Sequence, residues 1–435
     1  MKGYEKYKEV GLPWLKVIPE EWEIKPNKVF LKYQKNVVGK KADDYELLSL
    51  TKQGIQIKGN NDFSGKMPDN FESYQIVEKD QLVMCLFDLD ISAVFSGLSN
   101  YTGKITSAYD VFNIYGANHR FVDYYFRYIF QDRKYKLYSK SVRYTITKDD
   151  FRNLKTPIPL LHEQEQIANF LDWKIGEIDK LIGLEKEKIQ RIKEYYHRLN
   201  DSYFEVLEEN YAETIKIRNF AKLQNGISES GAFFLKGSPF VNYSYVFNND
   251  TLPKEFESVA DSNKAQQEVF SVRKGDVFIT RTSETVEDAA SVCLCTETVD
   301  KAVFSGFLIR IRTFNFIFID EFLLYYLKSL SVRNQIIKNL NIVTRVSLSQ
   351  NLIKNITLRK VPKDIQEDVV KKIKLNIESE QKIIKLTRQS IAYLEELKQT
   401  LISDAVTGKI DVRDIKIPHI FTERRKANEF NRKRI

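Results

Sequence analysis

The chain repeats itself. Laying residues 178–201 over 380–403, an offset of 202, aligns Leu181 with Ile383, Ile182 with Ile384, Leu184 with Leu386, Ile189 with Ile391, Ile192 with Leu394 and Leu199 with Leu401. Six apolar coincidences in one register point to a duplicated unit, and an internal period constrains a fold more tightly than composition does. The same offset pairs Arg143 with Arg345, Asn153 with Asn355, Gln164 with Gln366 and Glu165 with Glu367. At 198, Ser107-x-Tyr109-x-Val111 meets Ser305-x-Phe307-x-Ile309, and at 195 Lys79 meets Lys274. Drifting offsets are loop insertions. The chain therefore reads as two copies of one plan, each a globular portion followed by a long helix, with divergent middles.

The helical part carries heptads. One frame places Ile175, Ile182, Ile189, Tyr196 and Tyr203 at a and Ile178, Glu185, Ile192, Leu199 and Val206 at d. In the second copy Ile377, Ile384, Ile391, Lys398 and Ala405 fall at a, with Glu380, Thr387, Leu394 and Leu401 at d. A helix over 163–206 is about 65 Å long, and so apolar a stripe needs a partner. The other copy's helix, held close by the chain itself, is the obvious one. The expected seam sets Ile182, Ile189, Ile192 and Leu199 against Ile384, Ile391, Leu394 and Leu401; a coil between two chains is the alternative. Asp364, three residues before Glu367, reads as a capping-box variant opening the second helix.

Short β-branched and aromatic runs at 81–87, 276–280 and 307–312 read as strands, and 121–130 and 320–330 as amphipathic helices. The expected fold is α+β: two similar mixed α/β domains separated by two long helices that form an intramolecular antiparallel coiled coil. The expected boundaries are a first domain over 1–158, a helix over 159–209, a second domain over 210–360, a helix over 361–408 and a basic tail over 409–435.

Composition narrows the function. Sixty-eight Lys and Arg against 59 Asp and Glu give a net charge of +9 on 435 residues, a moderate bias toward a polyanionic partner. Three cysteines, Cys85, Cys293 and Cys295, make no disulfide framework and favour the cytoplasm. The greasiest stretch, 314–327, is interrupted by Asp320 and Glu321, so no membrane span is expected. His119, His162, His197 and His419 are too scattered for a metal site. The 97–104 stretch has five residues between its glycines and Ile105 where a phosphate loop needs Ser or Thr. There is no Pro-Pro dipeptide for gripping a flipped base, and Asp88-x-Asp90 lacks a lysine at nuclease spacing. Catalysis by this chain is not expected.

Two similar heads on a helical spacer, in a basic chain without catalytic motifs, form a ruler. Duplex DNA is the natural thing to measure, and unlike heads imply a bipartite, asymmetric target. Three segments then carry a family resemblance: Ile18-Pro19-Glu20-Glu21-Trp22, Pro157-Ile158-Pro159-Leu160-Leu161-His162-Glu163-Gln164-Glu165-Gln166-Ile167, and Ala405-Val406-Thr407-Gly408-Lys409-Ile410-Asp411-Val412-Arg413. Together they resemble the specificity subunit of type I restriction-modification systems. The second helix departs from the pattern: Val361-Pro362-Lys363-Asp364-Ile365-Gln366 keeps one proline and lacks the Glu-Gln pair. The resemblance implies a DNA-recognition subunit that scaffolds two modification (methyltransferase) subunits and restriction subunits. It implies no cofactor in this chain: S-adenosylmethionine, ATP and magnesium belong to the partners.

Arg143 and Arg345, beside Tyr144 and Val346, recur at one offset, which favours a shared phosphate contact. Sequence choice is expected from variable polar segments: Lys52, Gln53, Lys58, Asn60, Asn61 and Lys66 in the first domain, and Lys236, Asn242, Tyr243, Arg281 and Thr282 in the second. The rival reading is a non-catalytic coiled-coil adaptor with two protein-binding domains.

Overall fold

The computed structural model describes residues 2–51, 54–59, 70–89, 96–131, 133–139, 144–229, 231–234, 236–283, 285, 289–340 and 346–418. Two compact units divide the chain, the first made of residues 1–186 and 388–435 and the second of 187–387.

In the first unit a four-stranded antiparallel sheet has the order Leu31–Gln34, Asp110–Ile114, Leu82–Met84, Ser96–Leu98. Helix His119–Gln131 packs against it, and a short helix, Lys148–Asn153, follows. Strand Lys155–Ile158 pairs with Glu23–Pro26 and leads into the first long helix, Leu161–Asn210. The second unit repeats this plan: a sheet ordered Ala221–Asn225, Leu308–Thr313, Val277–Thr280, Val292–Leu294, then helices Asp320–Lys328 and Gln350–Asn355. Strand Thr357–Arg359 pairs with Thr214–Lys216 and leads into the second long helix, Lys363–Val406. The duplication is thus one of topology. Central strands are rich in Val, Phe and Ile and fully buried (Val83, Phe112, Phe278, Ile309), the environment in which β-branched and aromatic residues favour strands.

Equivalent residues do equivalent work. Gln164 accepts from the Asn118 N–H (2.8 Å) and donates to the Pro159 carbonyl (2.8 Å), while Gln366 accepts from the Ile319 N–H (2.8 Å) and donates to the Val361 carbonyl (2.7 Å). Each buried amide staples the start of a long helix to the start of its unit's sheet-packed helix. Lys28 donates to Asn153 and Arg218 to Asn355. The Lys79 and Lys274 N–H groups each bond a threonine hydroxyl, Thr102 and Thr298.

The middles differ. The first unit inserts a hairpin, Leu48–Thr51 with Gly54–Ile57; the second inserts a three-stranded sheet of Val259–Ala260, Ser238–Val241 and Val303–Phe304. The helix expected over 320–330 breaks at Ser329, which is extended (φ −64°, ψ 154°), and resumes as Leu330–Lys338. Asp201 accepts the freed Leu330 N–H at 3.0 Å.

Both long helices pass through the boundary between the units, and each unit contains its own antiparallel contact between them. In the first, Gln166 bonds the Val412 and Ile415 carbonyls and Asp179 bonds Lys398 (2.7 Å). In the second, Asn200 and Tyr203 accept from Asn376 (2.9 and 3.3 Å), and the Glu380 carboxyl faces Lys193 and His197. Ile182 and Ile384 are buried in this seam; Ile189, Ile192, Leu199, Ile391, Leu394 and Leu401 are half-buried. Thr387, at d, turns its hydroxyl back to the Ile383 carbonyl (2.9 Å). The 50-residue first helix is about 75 Å long.

Two expectations need correcting. Val206 is 51% exposed, whereas Phe204 (2%) and Leu207 (4%) are buried. Here the helix packs on its own domain, with Phe204 against Phe322 and Tyr326 (ring centroids 5.7 and 5.0 Å), so the seam no longer selects the buried face. Asp364 lies inside the first turn of a helix that begins at Lys363. It complements the helix dipole from there and does not cap the helix from outside.

The three family-like segments meet within the first unit. Glu163, 1% exposed, accepts from the Tyr4 hydroxyl (2.6 Å) and Trp22 Nε1 (2.9 Å). The carbonyl of Gly408 (φ +72°) accepts from the Tyr7 hydroxyl, and a Cβ there would stand 2.4 Å from Pro19 Cδ. Arg413 bonds Asp411 and Glu21 and lies over the Tyr4 ring. Residues 409–418 are therefore packed, with Val412 fully buried. In the second unit residue 365 is isoleucine, and no Tyr–Trp pair faces it.

Candidate nucleic-acid interface

In each unit, the strand that leaves the sheet is tied to the segment that precedes the short helix. In the first, the Ile146 N–H donates to the Leu86 carbonyl (2.9 Å) and the Leu89 N–H to the Tyr144 carbonyl (3.3 Å). Asp88 and Tyr144 both adopt left-handed conformations (φ 50° and 46°), marking a tight crossing of two loops. In the second, the Leu348 N–H donates to the Arg281 carbonyl (2.8 Å), and Thr282–Ser283 pairs with Val346–Ser347. This brings Arg281 and Thr282 beside the segment that follows Arg345. The turn at Ser305–Phe307 adds a third part. The Ser305 N–H bonds the Val241 carbonyl (2.9 Å) and the Phe307 carbonyl accepts from the Arg281 N–H (2.8 Å), so Asn242, next to Val241, and Arg281 hang from one turn. Phe307 itself is exposed.

Other residues singled out in the sequence sit as follows. Lys52, Gln53, Asn60, Asn61, Lys66, Arg143, Arg345 and the basic tail over 421–435 lie outside the described residues. Lys58 ends the inserted hairpin, its N–H on the Leu47 carbonyl (2.8 Å). Lys236 is exposed, 3.6 Å from Asp261. Asn242 caps helix Tyr243–Asn248: its side-chain oxygen accepts from the Tyr245 N–H (3.1 Å) and its amide donates to the Ser258 hydroxyl (2.7 Å). Much of its hydrogen-bonding capacity therefore serves the fold. Tyr243 stacks on Phe247. Lys104, in the glycine-flanked stretch, is buried with its ammonium on the Ala42 carbonyl (2.7 Å).

A charge signal in the sequence locates more cations than the repeat alone. Residues 133–148 contain Arg133, Lys134, Lys136, Lys140, Arg143 and Lys148 and no acidic residue, and 322–363 contain eight Lys or Arg and none. Such runs mark interaction surfaces. In the first unit three of these ammonium groups lie over tyrosine rings: Lys134 on Tyr128 (4.0 Å), Lys136 on Tyr144 (4.1 Å) and Lys148 on Tyr33 (4.0 Å). A ring holds a cation without cancelling its charge, although Lys148 also lies 3.7 Å from the Asp110 carboxylate. Hydrogen bonding to Tyr33 holds the Lys148 ammonium above its ordinary range. In the second unit carboxylates take several cations of the run: Lys328 pairs with Asp250, Arg359 with Glu208 and Lys360 with Glu213. Burial pushes the Cys293 and Cys295 thiols up to about 12, which keeps them protonated and unreactive.

The family described as "Type I restriction modification DNA specificity domain" matches residues 19–194. Residues 19–194 are similar to that domain. The match takes in Pro19–Trp22 and the 157–167 segment, two of the three places that bear the resemblance. A chain from a structure of type I R-M complex assembly and conformational transition shares the fold, with a TM-score of 0.62 at 12% identity over 90% of this chain and 99% of that one. The HsdS subunit from Thermoanaerobacter tengcongensis aligns over 90% of this chain and 98% of its own, at 13% identity and a TM-score of 0.48. The S subunit from M. genitalium aligns over 93% and 99%, at 12% identity and 0.33. No curated protein matches the chain. The long helices pack against each other as the sequence leads one to expect.

Proposed function

We propose that the chain reads a bipartite, asymmetric duplex target, one half-site per unit, and scaffolds two modification subunits together with restriction subunits. One observation supports this above others: the two units keep the same sheet order and stapling glutamines, yet differ at the crossed loops beside Leu86 and Arg281. Shared parts suit shared partners; divergent parts suit different half-sites. Methylation and cleavage belong to the partners, as do S-adenosylmethionine, ATP and magnesium. The cytoplasm is the proposed setting, supported by buried cysteines, Cys85, Cys293 and Cys295, outside any disulfide. Among the described residues no helix is long and apolar enough to cross a membrane.

Salt tests the DNA reading. The assembly with its modification partners is expected to lose three to five decades of duplex affinity between 50 and 200 mM salt, the response to about six to ten phosphate contacts. A flat response favours the adaptor instead.

The partner sites are proposed on the outer faces of the long helices. Leu184 and Leu386, at equivalent c positions, are exposed, as are Tyr195 and Leu397 at equivalent g positions. Exposed apolar residues that recur at one offset suit one partner bound twice. Leu386→Arg is expected to remove one modification subunit, and Leu184→Arg with Leu386→Arg both, with unchanged circular dichroism. Light scattering gives the complex mass; a full complement in the double variant refutes the placement.

A further inference from the structure

The two crossed-loop sites share a backbone and differ in a side chain. The carbonyl of Leu86 accepts the Ile146 N–H in the first unit, and that of Arg281 accepts the Leu348 N–H in the second; 146 and 348 stand at the repeat offset. Leu86 and Arg281 are therefore structural equivalents. Leu86 is buried, so the first unit has no cation at this place. A contact needed merely to hold phosphate is of use to both units, and recurs. One found in a single unit, at a matched position, belongs to the choice of sequence.

Arg281 is also built to be held still. Its N–H and carbonyl are both engaged (2.8 Å each), and Thr282 after it enters a two-strand pairing. Arg281 is half-buried, and its guanidinium makes no ion pair or hydrogen bond among the described residues. Other arginines of the unit are consumed by the fold: Arg312 by Asp276, Arg359 by Glu208, Arg310 by the Ser271 carbonyl and Gln224, and Arg218 by Asn355. A planar fork on a fixed backbone fits the paired O6 and N7 acceptors that guanine alone presents in the major groove.

We infer that Arg281 is a specificity-determining residue that reads a guanine in the half-site bound by the second unit, and that the first unit has no counterpart to it. The inference rests on the proposed DNA reading. Its test selects bound sequences from a randomised duplex pool, using the full chain assembled with its modification subunits. Wild type, R281A and R281K are compared, each with its thermal unfolding measured. The expected result is a bipartite motif in which R281A and R281K both lose about 10- to 100-fold of the preference for guanine at one position of one half-site. The other half-site stays intact, and so does the melting temperature. R281K keeps the charge but not the fork, so R281K retaining the guanine preference overturns the assignment. A uniform loss of affinity in R281A with an unchanged motif also overturns it, in favour of a phosphate contact. A motif and affinity untouched by either variant overturn it too. Wild type selecting no sequence at all overturns the DNA reading itself and this inference with it.

Discussion

Glu163→Ala is expected to lower the stability of the first unit by about 3 kcal/mol, more than a hundredfold in its folding equilibrium. The carboxylate is 1% exposed and accepts from two donors, the Tyr4 hydroxyl and Trp22 Nε1, whose residues are themselves buried. Alanine strands both donors away from water at about 1–3 kcal/mol each and leaves a void beside Trp22. The chain supplies its own probe, because Trp14, Trp22 and Trp173 all lie in the first unit. Tryptophan fluorescence in a urea titration should therefore show the loss as a lower midpoint. Glu163→Gln, which retains an acceptor oxygen, should fall between wild type and alanine. An unshifted midpoint for Glu163→Ala contradicts the account of this junction.

Inserting seven residues into each long helix, between Lys186 and Glu187 and between Thr387 and Arg388, is expected to lengthen the tolerated spacer between half-sites by about 3 base pairs. Seven residues add about 10 Å of helix, and duplex DNA rises about 3.4 Å per base pair. A heptad keeps a and d facing the partner helix. Because the pairing is antiparallel and within the chain, an insertion in the first helix alone leaves one turn pair without a partner; the two insertions must be matched. A four-residue insertion in each helix rotates the apolar stripes off the seam and should abolish the complex. Mapping methylated adenines after co-expression with the modification partner gives the spacer directly. A spacer that stays at the wild-type length after matched heptad insertion defeats the ruler.

Much of the architecture was legible because it rests on period and repetition. A heptad is a local pattern, and the offset of 202 survives in exposed and buried positions alike. Hence the sheet strands, the helices before and after them and the pairing of Ile182 with the opposite helix follow from residue order. The limits are equally physical. The frame places Val206 at the seam, yet Phe204 and Leu207 are buried in its stead, since which face of a helix is covered depends on what lies beside it. Asn242, expected in a polar loop, also caps a helix, a choice that depends on where the Tyr245 N–H stands. Lys134 and Lys136 over tyrosines in the first unit and Lys328, Arg359 and Lys360 paired with carboxylates in the second are told apart by their neighbours alone.

By itself, then, the sequence determined that there are two copies of one plan, that each ends in a long helix, and that each helix carries an apolar stripe in need of a partner. Only the tertiary structure decided that the family-like segments form one junction around Glu163, and that Arg281 stands where the other copy has a buried leucine. Periodicity is written in neighbours three and four residues apart. A hydrogen bond from Trp22 to Glu163 spans 141 residues, and no local pattern encodes which distant donor a buried carboxylate will meet.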